Sequence, residues 1–338
     1  MEVFCGLLAC LYGGGLVKNV FFGACAAQPA LPPALCEHAS GLGHVVGLAL
    51  TYFALYSLRF RPGSGSLLAA ARSAAAGLGR ACLPPRALSL PSWLMLAFHA
   101  GSLAWLLAPH LSLGDGDGSG GGGLERAVDA AAAHLTACAT PTALLWAPLF
   151  EELLFRGALF YLALHRSRGQ VPLSACLCAG AFAAMHAPNV FALRADWGYV
   201  ALQVCAAAVC GGAWTAVFAA RGSLAEVTLL HAANNAVATV WLARGGGTAC
   251  SLAPPPLEER GAALVSLGLQ TAVYTAGGVM AWRELQRSTE GDGGAAFRAL
   301  HPLVYPTGAV EQGGGSIVGG IVGGGGGGGG GDKAGKDL

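Results

Sequence analysis

The chain has 338 residues, of which 54% are hydrophobic and only 11% charged, with a mean hydropathy of +0.56 and a formal net charge of +1. A soluble domain carries about 25% charged residues, so this composition excludes an ordinary soluble enzyme and predicts an integral, multi-pass membrane protein whose first partner is the lipid bilayer. Scattered basic residues exclude nucleic acid as a partner, and eleven cysteines, odd in number and without a CxxC pair, argue against a disulfide scaffold or a cysteine-rich zinc site.

Residues 3–27 read as a weak first membrane segment, because Lys18 and Asn19 interrupt the apolar run; residues 1–41 are assigned to this segment and its loop. Stronger spans of about 17 to 25 residues are expected at 42–60, 92–113, 142–164, 171–190, 198–220, 223–243 and 261–282. The fold class expected is all-α: a polytopic bundle of about 7 to 8 transmembrane helices, occupying residues 42–284, with a polar catalytic cavity inside. The 61–91 linker carries Arg61, Arg72, Arg80 and Arg86 and no acid, whereas the next connection carries Asp115, Asp117, Glu125 and Asp129. Basic and acidic loops thus alternate, as the positive-inside rule expects. Residues 113–124 read as a Gly/Asp linker and 125–141 as an interfacial helix. From residue 285 to 338 the composition turns polar and then glycine-dominated, which predicts a disordered tail.

Three motifs place ionisable or strongly polar groups where hydrocarbon is expected: EELLFR (Glu151 to Arg156), FAAMH (Phe182 to His186) and HAANN (His231 to Asn235). A charged side chain at the centre of a membrane helix costs about 2.5 to 3.5 kcal/mol on insertion scales, so these groups are expected to face one another across a shared cavity. Helix positions four apart share a face, which pairs Glu152 with Arg156 and leaves Glu151 free for chemistry. His186 precedes Pro188 by two residues, so its helix is expected to end or kink there. His231 and Asn235 share a face, and both can donate hydrogen bonds to a developing oxyanion; Asn234 points about 100° away and is assigned to capping or packing. Counted from the ends of their helices, Glu151, His186, His231 and Asn235 fall roughly 12 to 23 Å into the bilayer, a common depth that suits one site.

EExxxR, FxxxH and HxxxN, in this order on successive membrane helices, resemble the CAAX protease and bacteriocin-processing family of intramembrane proteases, which includes the type II CAAX prenyl endopeptidases. APLFEELLFRG and MHAPN strengthen the resemblance, which covers about residues 142–243. It implies that Glu151 activates water, that His186 orients and polarises it, and that His231 and Asn235 stabilise the oxyanion, with Glu152, Arg156 and Phe182 in support. It implies a membrane-associated or prenylated protein as substrate. The family's older description as metallopeptidases would make Glu151, His186 and His231 ligands of a divalent metal such as zinc; no HExxH is present and no cofactor is favoured. The FRG after the glutamates looks more like bacterial and plastid members, so a plastid or endoplasmic-reticulum membrane in a eukaryote, or the plasma membrane in a bacterium, is expected. Two other classes compete: a non-proteolytic membrane scaffold or stabiliser that keeps the fold, and a proton-coupled transporter. The four intact polar groups favour the peptidase over the scaffold, and the lack of paired repeats or broken helices in both halves disfavours the transporter.

Overall fold

The computed structural model describes residues 33–59, 87–112, 142–192, 197–244, 257–290 and 295–301, with short stretches between 15 and 27 and between 76 and 82. Among the described residues every regular element is helical. They are α1 (Pro33–Arg59), α2 (Leu90–Ser112), the π-helical π1 (Thr142–Trp146), α3 (Ala147–Glu152), the π-helical π2 (Leu153–Leu159), α4 (Phe160–Arg166), α5 (Val171–Ala184), α6 (Asn189–Ala192), α7 (Trp197–Arg221), α8 (Leu224–Arg244), α9 (Leu257–Glu290) and α10 (Ala295–Leu300). Among the described residues three stretches are long and apolar enough to cross a membrane, Val171–Phe191, Val200–Arg221 and Leu264–Thr289, and Leu90–Leu106 is a shorter apolar helix. The Gly/Asp linker, the segment 125–141 and the glycine-rich tail lie outside the described residues, as do most residues of the first segment.

The central element is α7, which packs most extensively on α5 and α9. Its sequence explains why. Small residues dominate the helix, and small residues let apolar helices approach closely where no hydrophobic force drives them together. At Gly211 a Cβ would sit 3.0 Å from the Phe182 ring and 3.5 Å from the Arg156 guanidinium, so the bare backbone there makes room for the centre of the site. Trp214, Phe218, Phe155, Phe160, Leu154 and Leu164 fill the adjoining core, all essentially without exposure.

A polar lattice closes one end of the bundle. Ser223 accepts the Glu226 N–H at 3.2 Å, starting α8 as an Ser-x-x-Glu capping pair. The Glu226 carboxylate turns outward from that pair and accepts the Ser89 N–H of the α2 start at 2.8 Å. Arg221 lies 3.8 Å from the second Glu226 oxygen and 3.4 Å from Glu284 on α9, and donates to Ala87 O at 3.1 Å. Four helices are thereby registered at one level. Between α7 and α8, Gly222 takes a φ of +66° and donates to Phe218 O at 2.7 Å, the left-handed helix end that glycine adopts without a Cβ penalty.

The polar stretch from residue 285, expected to leave the bundle, begins as helix: α9 continues to Glu290, with Leu285 and Thr289 buried. Beyond it α10 brings back Phe297 and His301, both buried. His301 Nε2–H donates to Ala219 O at 2.8 Å, which leaves Nδ1 to accept from the Tyr161 hydroxyl at 3.0 Å. Composition hid this docking because it depends on His301 meeting the rings of Phe160, Tyr161 and Phe218, with Phe297 packed on the imidazole.

Burial lowers the His301 pKa to about 4 from 6.5. Because the folded value is depressed, the docked state binds fewer protons than the unfolded one. Its contribution is fully present above about pH 6.5 and is lost as pH falls toward 4. Thermal melting of the purified protein should therefore drop between pH 7 and pH 5, and His301→Ala should lower the melting temperature at pH 7 while flattening that pH dependence. An unchanged slope in the variant would remove His301 as its source.

Candidate active site

The EELLFR motif sits on a helix whose hydrogen bonding changes three times, after Trp146, after Glu152 and after Leu159. Pro148 lies in the first turn of α3, and the chain then passes from α-helix to π-helix immediately after Glu152. The Phe160 N–H closes π2 on Phe155 O, five residues back. Such single widened turns occur often at functional sites. Here the change of pitch follows the two glutamates directly. Glu152 and Arg156 are sealed completely, whereas the Glu151 side chain keeps 30% of its surface open.

Glu152 is the hub. Its Oε1 accepts from Arg156 Nη1 at 3.0 Å and from His231 Nδ1–H at 2.9 Å. Arg156 is fixed on three further sides. It donates to Thr215 Oγ1 at 3.3 Å and to Gly211 O at 2.9 Å, and its guanidinium lies over the Phe182 ring, 4.9 Å from the centroid. Thr215 is held in turn by Gly211 O at 2.7 Å. A buried ion pair needs this density of partners, because desolvation of two charges costs several kcal/mol per ion.

His231 joins the two glutamates. With Nδ1–H given to Glu152, Nε2 faces Glu151 Oε2 at 3.7 Å. Trp214 stacks on the imidazole, centroid to centroid 4.7 Å, and fixes its plane. Phe182 presents its edge or face to His186 at 5.2 Å and to His231 at 5.6 Å, walling the space between the histidines as its position one turn before His186 suggested. His186 lies in the turn after α5, beside the expected helix break; its Nδ1–H donates to Phe182 O at 3.0 Å, so Nε2 is the ring's free nitrogen. Asn235 donates to Ala143 O in π1 at 3.0 Å.

A pocket of about 260 Å³ adjoins this assembly, and His186, His231, Asn235 and Phe182 are among its walls. Glu151 is not a wall residue; it connects to the pocket through His231. Sequence spacing found the motif residues but not their anchors. Trp214, Thr215 and Gly211 lie in an apolar span with no motif, and Gln270, another wall residue, lies in a span read only as membrane filler. Asn234, assigned to packing, accepts from Gln270 at 2.8 Å. Among the described residues no group of three or more His, Cys, Asp or Glu side chains is gathered so that it could hold a metal ion. Glu151, His186 and His231 are not gathered into such a set.

Residues 133–237 match the family model described as Rce1-like, type II CAAX prenyl endopeptidase Rce1-like. The matched segment contains all three motifs, so the resemblance read from them and the family match agree. At the family level this supports a protease-class, CAAX-processing function in a membrane-helical protein. No curated protein and no solved structure matches the chain.

Removing the cation leaves Glu152 buried against a single partner. Breaking a buried pair in this way costs about 3 to 5 kcal/mol. Arg156→Ala should therefore lower yield and melting temperature sharply, whereas Arg156→Lys, which keeps the charge but not the fork, should retain part of the loss. A variant Arg156→Ala that melts like the parent would show that Arg156 does not hold the site together.

Proposed function

We propose, from the family match over residues 133–237, that this chain is an intramembrane endopeptidase of the CAAX type that hydrolyses a peptide bond with water activated by Glu151. The observation that carries the reading is the bridge from Glu152 through His231 to Glu151. It couples a sealed carboxylate, which orients the imidazole, to an accessible carboxylate, which can meet water.

In the proposed reaction a water molecule gives a proton to Glu151 as its oxygen bonds to the scissile carbonyl carbon. The free Nε2 of His186 accepts a hydrogen bond from that water and aims its lone pair. The carbonyl oxygen becomes an oxyanion. Donors aimed at such an oxygen are worth about 2.7 to 4 kcal/mol each, and Asn235 can supply one from its amide. His231 can supply another from Nε2 when that nitrogen carries a proton, because Nδ1 is already committed to Glu152. The carbon–nitrogen bond then breaks and the proton on Glu151 passes to the departing amine, so the carboxylate is restored and one water is consumed.

The substrate class proposed is a prenylated, membrane-associated protein, following the family description. The apolar composition of the helices around the pocket supports a lipid-modified chain as the partner, since a lipid tail and a transmembrane bundle share one solvent.

Glu151→Gln keeps the shape of the side chain and removes its basicity. It should lower the hydrolysis rate of a farnesylated peptide by about 10² to 10⁴ with the melting temperature nearly unchanged, because Glu151 is the less buried of the two acids. Glu152→Gln should lose both rate and stability. Equal turnover by Glu151→Gln and the parent would remove Glu151 as the base.

A further inference from the structure

The pocket wall holds a second polar feature that hydrolysis does not use. Gln270 stands within the apolar stretch Leu264–Thr289 and beyond the segment that matches the family. Its Nε2 donates to Asn234 Oδ1 at 2.8 Å and reaches Cys210 Sγ at 3.2 Å. An amide placed in hydrocarbon is costly, and an interhelical hydrogen bond returns only about 0.6 kcal/mol on average. Helix packing alone is a weak reason for it.

A hydrogen bond between two side-chain amides uses one carbonyl and one N–H group. It leaves the carbonyl of one partner and the N–H₂ of the other: here Gln270 Oε1 and Asn234 Nδ2. Exchanging O and N in both groups reverses the roles and leaves one acceptor and one donor as before. Neither atom is a buried atom lacking a partner, and both residues line the pocket with His231 and Asn235. A side-by-side acceptor and donor complement the N–H and C=O of a peptide main chain.

A second amide pair meets the same pocket through one of its members. Asn189 Nδ2 donates to Gln203 Oε1 at 2.9 Å, and Gln203, though not Asn189, lines the pocket. Gln203 and Cys210, which marks the level of Gln270, are seven residues apart on α7, or about 10 Å at 1.5 Å per residue. An extended chain rises about 3.3 Å per residue, so the two amide pairs are separated by about three residues of strand.

We propose that the Asn234–Gln270 and Asn189–Gln203 pairs form a cradle that binds an extended peptide by its main chain, delivering it to the pocket beside His231 and Asn235. The ligand class is a peptide backbone of about three residues, recognised with little regard to side chains. This reading rests on the peptidase function proposed above, but its test reads binding rather than turnover.

The Glu151→Gln protein in lipid nanodiscs would be titrated with a fluorescent farnesylated peptide by microscale thermophoresis. The titration would be repeated with analogues in which one of the last three amides is an ester, lacking the N–H. Gln270→Met, in the same background, should weaken binding of the all-amide peptide about tenfold, the size of one net hydrogen bond, with its melting temperature retained. One ester analogue should bind weakly to the parent and lose nothing further in Gln270→Met. Asn234→Leu and Gln203→Met provide the same comparison should Gln270→Met not fold. Equal affinity in the parent and the folded variants would overturn the cradle, as would an ester loss that simply adds to the variant's loss, or no binding by the parent. The expected binding pattern without cleavage by the wild-type protein would support the cradle and count against the peptidase. Cleavage with unchanged affinities would do the reverse.

Discussion

The Glu152 carboxylate carries the arrangement of this bundle. It is wholly buried, and it accepts from a guanidinium one turn along its own helix and from an imidazole 79 residues away in sequence. Its second oxygen has no hydrogen-bond partner among the described residues. The stability of the charge therefore depends on these two donors, and each donor depends on others. Arg156 leans on α7 through Gly211 and Thr215, and His231 leans on α7 through Trp214. One charge thereby ties π2, α7 and α8 together at a single level.

Chemistry follows from the same constraint. Donation of Nδ1–H to Glu152 fixes which nitrogen of His231 faces Glu151, because a neutral imidazole has one donor and one acceptor. Two adjacent carboxylates thus acquire different tasks from their surroundings. Glu152 is sealed, neutralised and structural, and Glu151 is open enough to meet water. The widened turn beginning at Leu153 comes directly after the pair, where a regular α-helix would carry both residues on at a constant 100° step. Phe182 completes the geometry by contacting Arg156, His186 and His231 at once. A change at that ring would be felt by all three motifs.

Much of this was readable in the residues. The i,i+4 spacing of Glu152 and Arg156 foretold their pairing, Pro188 foretold the break beside His186, and the apolar runs foretold helices close to the observed bounds between residues 90 and 244, whereas the first helix starts at Pro33 rather than 42 and the last runs to Glu290 rather than 282. Spacing could not reveal that His231 bonds Glu152, since nothing local connects residues on different helices. Nor could it reveal the π-helical stretches, which reflect how one helix accommodates its neighbours rather than any propensity. Gly211, Thr215 and Gln270 were invisible for the opposite reason: each is a common residue in an apolar span, and only the partner gives it meaning. His301 shows the limit of composition. The segment from 285 onward is polar enough to suggest a tail, yet His301 packs among aromatic rings of the bundle with Phe297 against it.

The central claim is that water, positioned beside Glu151 and His186, attacks the peptide carbonyl directly. A single turnover in ¹⁸O-enriched water, with purified protein in molar excess over a farnesylated peptide, tests it most directly by mass spectrometry of the new C-terminal carboxylate. The account predicts one solvent oxygen in every product molecule formed in that first turnover. A product whose new carboxylate carries no solvent oxygen would mean that a side-chain carboxylate had formed a covalent intermediate and given up its own oxygen, and it would contradict the account.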